Sequence, residues 1–190
     1  EARQALGLAG GRRTVLVTGG SQGALRIDRA AAGAVRILRH RADLQLLVLT
    51  GPAHAGQLDR AGEEAGALAV RAVPFLERME LAYAAADLVV SRAGASTVAE
   101  VAVCGLPAIL VPYPHATANH QEANARALAR AGGAVVLPDA ELGPEALAAR
   151  VVELVDAPHR METMGARAAA WGRPDAGHAL AALVVEGASR

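Results

Sequence analysis

Four short segments carry the residues whose types and spacing can do chemistry, and each follows an apolar run. The first is Gly19-Gly20-Ser21-Gln22-Gly23-Ala24. Glycines let the main chain approach a ligand closely, and a helix opening behind them presents free N–H groups and partial positive charge. A phosphate fits such a loop, with Ser21 as a further donor and Gln22 beside it; a tight strand-to-helix turn with Ser21 as N-cap accounts for the same residues. The second segment runs from Ser91 through Arg92, Ala93, Gly94, Ala95, Ser96, Thr97, Val98 and Ala99 to Glu100. It is again a small-residue loop opening a helix, so two helix N-termini would share a diphosphate. Glu100, about one turn in, can accept from two vicinal hydroxyls such as a ribose diol. Thr97-Val98-Ala99-Glu100 also has the T-x-x-E form of a capping box.

The third segment, Val111 to Asn124, holds His120, Gln121 and Asn124, which suit the hydroxyls of a sugar; the alternative is a plain helix start with Asn119 as N-cap and Glu122 three residues on. Two histidines without a matching acid pattern argue against a metal site. In the fourth segment the only phenylalanine, Phe75, precedes Leu76. Its ring can pack on a flat base while the Leu76 backbone reads the base edge, or it can be a core aromatic.

These segments need a scaffold that brings them together. Strands are expected at 14–18, 44–50, 68–73, 87–91, 107–112 and 134–137. Helices are expected at about 21–40, 55–65, 76–85, 96–104, 119–131, 144–155, 159–170 and 175–186. Leu25, Ala32, Val35 and Leu38 would form one face of the first long helix. Strand–helix alternation with short connections means parallel strands joined by right-handed crossovers. The expectation is an α/β, doubly wound, mostly parallel six-stranded sheet making one domain over 1–190. Ligands in such sheets bind beyond the carboxyl ends of the strands, where all four segments lie. The first loop is not GxGxxG, and the second strand ends in Thr50 without an acid for a dinucleotide ribose, which disfavours NAD.

Composition narrows the classes. Hydrophobic residues make up 53% of the 190 and aromatics 2%, so the core is built from Ala, Val and Leu, and a base-stacking surface for nucleic acid is not expected. Nineteen basic residues balance nineteen acidic ones, and every basic residue is Arg. Without Lys the chain has neither a Walker A loop nor a Schiff-base lysine. The single cysteine, Cys104, sits among Val101, Val103 and Leu106 and reads as a small buried apolar residue. One thiol forms no disulfide within the chain, which fits a reducing compartment. No apolar run reaches the ~18–20 residues of a membrane span.

In order and spacing, Val17–Ala24, Arg92–Glu100 followed by Gly105-Leu106-Pro107-Ala108, and His120-Gln121-x-x-Asn124-Ala125 resemble the C-terminal half of the MurG family of N-acetylglucosaminyltransferases. The likeness covers about residues 12 to 185. It implies a Rossmann-like GT-B C-terminal domain that binds the donor UDP-GlcNAc, needs no metal or other cofactor, and serves peptidoglycan precursor synthesis at the cytoplasmic face of the bacterial inner membrane. Carried over by position, Ser21 contacts the diphosphate, Phe75 and the Leu76 backbone hold uracil, Ala95–Glu100 bind phosphate and ribose, and Gln121 with His120 holds the sugar. The family often has two glutamines where this chain has His120-Gln121. The family's N-terminal half, with the acceptor loops and proposed catalytic base, is not in this sequence, and Glu1–Leu8 looks like the linker to it. The resemblance therefore implies that this chain binds donor without transferring sugar alone. A UDP-GlcNAc 2-epimerase half and a non-catalytic donor-binding subunit are the competing readings.

Overall fold

The computed structural model describes residues 1–20, 24–51, 58 and 61–188. Six parallel strands form one sheet in the order β3-β2-β1-β4-β5-β6: β1 Arg13–Thr18, β2 Leu44–Leu49, β3 Ala69–Val73, β4 Leu88–Ser91, β5 Ala108–Leu110 and β6 Ala134–Val136. The register is regular, with Val15 opposite Leu46 and Leu88, and Val17 opposite Val48 and Val90. All six residues of β2 are buried, as expected for a strand covered on both faces. β1 begins one residue early, at Arg13, and the other five strands are shorter than the runs that announce them, although Thr50 N still bonds Val73 O at 3.1 Å and Val111 N bonds Ser91 O at 2.8 Å.

Alternate residues of β1 feed two cores, because side chains alternate across a strand. Val15 and Val17 join Ile27, Leu38, Leu147 and Val151 on one face. Leu16 joins Ala82, Val98, Leu128 and Ala168 on the other. The first face is covered by α2 (Leu25–Leu38) and, following α3 (Met79–Ala85), α4 (Ala95–Val103) and α5 (His120–Arg130) in the chain, by α6 (Pro144–Val155). The buried stripe of α2 runs through Ile27, Ala31, Ala34, Val35 and Leu38, so Leu25 and Ala32, expected on it, lie at its margin and are only half-buried. α2 and α6 approach closely at Gly33, where an added Cβ would come within 2.4 Å of Pro144 Cγ.

The second face is covered by α3, α4, α5 and α7 (Pro158–Trp171), together with a single N-terminal turn, α1 (Ala2–Ala5). The stretch read as a linker is docked: Leu6 and Leu8 are buried, and Arg3 Nη2 pairs with Asp87 Oδ2 at 2.6 Å. Buried Gln45 extends this anchorage by exchanging two 2.9 Å hydrogen bonds with the Ala9 backbone. The last helix, α8 (Ala176–Ala188), leaves Leu180, Leu183, Val184 and Val185 exposed. Of the helix expected at 55–65, residues 58 and 61–63 are helical, and residues 55–57 and 59–60 lie outside the described residues.

Two departures bear on function. The helix expected from Leu76 begins at Met79, which leaves Phe75, Leu76 and Glu77 in the loop after β3. Cys104 is exposed rather than buried. α4 ends at Val103, Cys104 caps it, and Gly105 at φ +64° turns the chain, so Val101 and Leu106 face the core while Val103 and Cys104 face outward.

Candidate functional site

A cavity of about 300 Å³ opens at the carboxyl ends of β1 to β4. β1 and β2 contribute Thr18, Gly20, Leu49 and Gly51; the loop after β3 contributes Pro74 through Glu77. α3 adds Met79 and Tyr83, and α4 adds Ser96, Thr97 and Glu100. The strand order reverses between β1 and β4, and the cavity straddles that switch point, where ligands of open α/β sheets bind. Gly20 takes φ +86° at its edge, a conformation that suits glycine.

α4 begins one loop after β4. Gly94 is its N-cap, and its first intrahelical bond runs from Val98 N to Gly94 O at 2.9 Å. The amides of Ala95, Ser96 and Thr97 precede that bond and carry the positive end of the helix. The capping-box alternative does not form. The helix starts at Ala95, so Thr97 sits at the third helical position, and no side chain caps the terminus. Glu100 turns instead to α3, where its Oε2 accepts from the Tyr83 hydroxyl at 2.8 Å. Tyr83 is 6% exposed, and burial, then the bond to Glu100, pushes its phenol above the ordinary range. Val98 is buried in the core, so only its backbone faces the loop, while Ala95, Ser96 and Ala99 are exposed.

Phe75 is 60% exposed and forms the opposite wall with Leu76, which sets aside the core-aromatic alternative. One side of the cavity is therefore a flat apolar ring. The other combines a helix N-terminus with a carboxylate.

His120, Gln121 and Asn124 do not line this cavity; they stand on α5 beside it. Gln121 Oε1 accepts from Ala93 N at 3.2 Å and Tyr113 N at 3.0 Å, and Asn124 Nδ2 donates to Ala93 O at 3.1 Å. Two main-chain donors fix the Gln121 oxygen, so its NH₂ is what remains to meet a ligand. His120 Nδ1 lies 2.8 Å from Thr117 O; a carbonyl only accepts, so Nδ1 carries a proton, and in the neutral ring Nε2 is left to accept. Asn119 stands at the cap position of α5 but makes no side-chain cap bond. It and Ala118 have φ of 54° and 49°, a costly pair of left-handed non-glycine residues just before His120. Ser21 and Gln22 lie outside the described residues.

Sequence reasoning missed the roles of four residues that organise the rim. Tyr83 read only as part of a helix. Arg92 Nη1 pairs with Asp139 Oδ1 at 2.6 Å and its guanidinium lies over the Tyr113 ring, 5.4 Å from the centroid. Arg26 on α2 reaches the other Asp139 oxygen at 3.2 Å. Asp139 thereby ties the loops after β4 and β6 to α2. Its one legible signal was an acid directly after Pro138 in a strand-to-helix loop. Among the described residues, no cluster of three or more His, Cys, Asp or Glu side chains could hold a metal ion.

A six-stranded parallel sheet in this order, with a cleft at its switch point, defines a Rossmann-like nucleotide-binding fold. Residues 14–180 match the glycosyltransferase family 28 C-terminal domain, and the chain belongs to that family. A UDP-N-acetylglucosamine--N-acetylmuramyl-(pentapeptide) pyrophosphoryl-undecaprenol N-acetylglucosamine transferase of Rhodospirillum centenum is 48% identical over 181 residues, which cover 94% of this chain and 47% of the relative. The crystal structure of Acinetobacter baumannii MurG superposes with a TM-score of 0.84 at 28% identity, over 97% of this chain and 53% of that one. The UDP-GlcNAc 2-epimerase of Neisseria meningitidis, at 9% identity and a TM-score of 0.65, shares the fold alone. The chain thus spans about half the length of the relatives it matches.

Proposed function

We propose that residues 1–190 form the donor-binding domain of a metal-independent hexosyltransferase. The enzyme moves GlcNAc from UDP-GlcNAc to the lipid-linked muramyl-pentapeptide precursor, and this half holds the donor. The observation that carries the reading is the cavity itself: exposed Phe75 on one wall, the α4 N-terminus and Glu100 on the other. Uracil lies against Phe75, with the Leu76 backbone reading its edge. The ribose hydroxyls donate to Glu100. The diphosphate meets the amides of Ala95 to Thr97, and the family resemblance adds Ser21 and Gln22 as its further contacts. The sugar extends toward α5, where the Gln121 NH₂ donates and His120 Nε2 accepts, and Asn124 keeps the Ala93 backbone in place.

The chemistry follows from charge. As the glycosidic bond breaks, negative charge collects on the leaving UDP, and amide dipoles aimed at it stabilise the transition state in the way a metal cation would. The acceptor, its catalytic base and the contact with the cytoplasmic face of the inner membrane belong to the other half of the relatives' length. No helix among the described residues is long and apolar enough to cross a membrane. α8, with its exposed apolar residues, is assigned the return toward that other half.

Calorimetry with UDP-GlcNAc, UDP-GalNAc and UDP tests the reading. The chain should bind all three, UDP-GlcNAc in preference to UDP-GalNAc, and Glu100→Ala should cost ~1.5–3 kcal/mol of affinity, the worth of a hydrogen bond to a charged group. Unchanged binding by that variant would remove Glu100 from the site. Conversion of UDP-GlcNAc to UDP-ManNAc without acceptor would favour the epimerase instead.

A further inference from the structure

Tyr83 and Glu100 lie on helices that cover the same face of the sheet, α3 following β3 and α4 following β4, with β2 and β1 between those two strands. Their side chains meet inside the cavity wall at 2.8 Å. The partners differ in freedom. The Tyr83 ring is packed in the core with Leu16, Ala82 and Val98. Glu100 is exposed, and a glutamate on an open helix face samples several rotamers unless something holds it. Its carboxylate carries only acceptors, and the tyrosine occupies one lone pair of Oε2. Oε1 and the other lone pair of Oε2 stay available, side by side, to two adjacent donors.

We propose that Tyr83 is a positioning residue for nucleotide recognition: by holding Glu100 Oε2 it fixes the carboxylate in the rotamer that presents its free acceptors to the vicinal hydroxyls of a ribose. The inference rests on reading Glu100 as the ribose acceptor. It assigns the preference for a ribonucleotide over its 2′-deoxy counterpart to the pair, not to the glutamate alone. A mere staple between two helices would affect stability and leave that preference untouched.

The test measures affinities of UDP and 2′-deoxy-UDP for the unaltered chain, Tyr83→Phe, Glu100→Ala and the double variant, with a melting curve for each. Phenylalanine keeps the ring that fills the core, so the fold persists. The unaltered chain should prefer UDP. Tyr83→Phe should lose UDP affinity by about 5- to 10-fold, the worth of roughly one hydrogen bond, and 2′-deoxy-UDP affinity much less. The double variant should bind no more weakly than Glu100→Ala. Equal losses for both nucleotides in Tyr83→Phe, or no loss, with Glu100→Ala still defective, would overturn the role of Tyr83 and leave Glu100 standing. A Glu100→Ala chain that still prefers UDP as strongly as the unaltered one would overturn the ribose reading and the positioning role together.

Discussion

Arg92 and Asp139 meet at 2.6 Å with 11% and 8% of their side chains exposed, which makes them an enclosed ion pair in the rim beside the cavity. Removing one member of such a pair leaves the other desolvated and uncompensated, at a cost of ~3–5 kcal/mol. Asp139→Ala should therefore lower the denaturant midpoint strongly. Glu80→Ala, which breaks the open Arg78–Glu80 pair, should leave the midpoint almost unchanged. Similar midpoints for the two variants would contradict the bracing role of Asp139.

Phe75→Ala should separate binding from stability. The ring is exposed, so its loss removes little from the core. A base stacked on it would lose ~1–3 kcal/mol. Calorimetry should show weaker UDP binding with an unchanged melting temperature; a lower melting temperature with intact binding would return Phe75 to a packing role.

Tyr83 should ionise late. Burial, reinforced by Glu100, raises the Tyr83 phenol above the ordinary ~10 of an exposed tyrosine. The unfolded chain thus releases this proton at lower pH than the folded chain does. The resulting stability is fully present below ~10 and falls as pH rises above it. Phenolate absorbance followed upward from neutral pH should show one tyrosine ionising late, and Tyr83→Phe should remove the late step and flatten the alkaline loss of stability. A titration that Tyr83→Phe leaves without change in its late part would argue against the buried hydrogen bond.

Gly33→Ala replaces a poor helix former with the best one, yet it should destabilise. Its Cβ would lie 2.4 Å from Pro144 Cγ, and neither the α2 backbone nor the proline ring yields easily. Overpacking of this kind costs ~1–3 kcal/mol, more than the ~1 kcal/mol of propensity gained. A raised melting temperature would show that α2 and α6 can slide apart freely.

The strands were legible because each is an apolar run stopped by small or turn-forming residues: β1 halts at Gly19-Gly20 and β2 at Gly51-Pro52. Alternation in β1 sent Val15 and Leu16 to opposite cores, as the period of two requires. Helix ends were less legible, since several residues can cap and backbone geometry selects among them. Gly94 opened α4 earlier than Thr97 would have, which freed Glu100 for a partner on another helix. That partner lies 17 positions away, and no periodicity announces a contact between helices that cross over different strands. Asp139 was hidden for the same reason: the two guanidiniums it holds come from distant segments, Arg92 from the loop after β4 and Arg26 from α2.

Behind the Tyr83–Glu100 contact lies a second, more apolar hollow, which shares Met79, Tyr83 and Glu100 with the first and reaches Cys104 at its far end. Because this is the only thiol in the sequence and it is exposed, maleimide chemistry would attach a single fluorophore there without further engineering. The dye would sit one wall away from the nucleotide, and its emission would report occupancy of the cleft in real time.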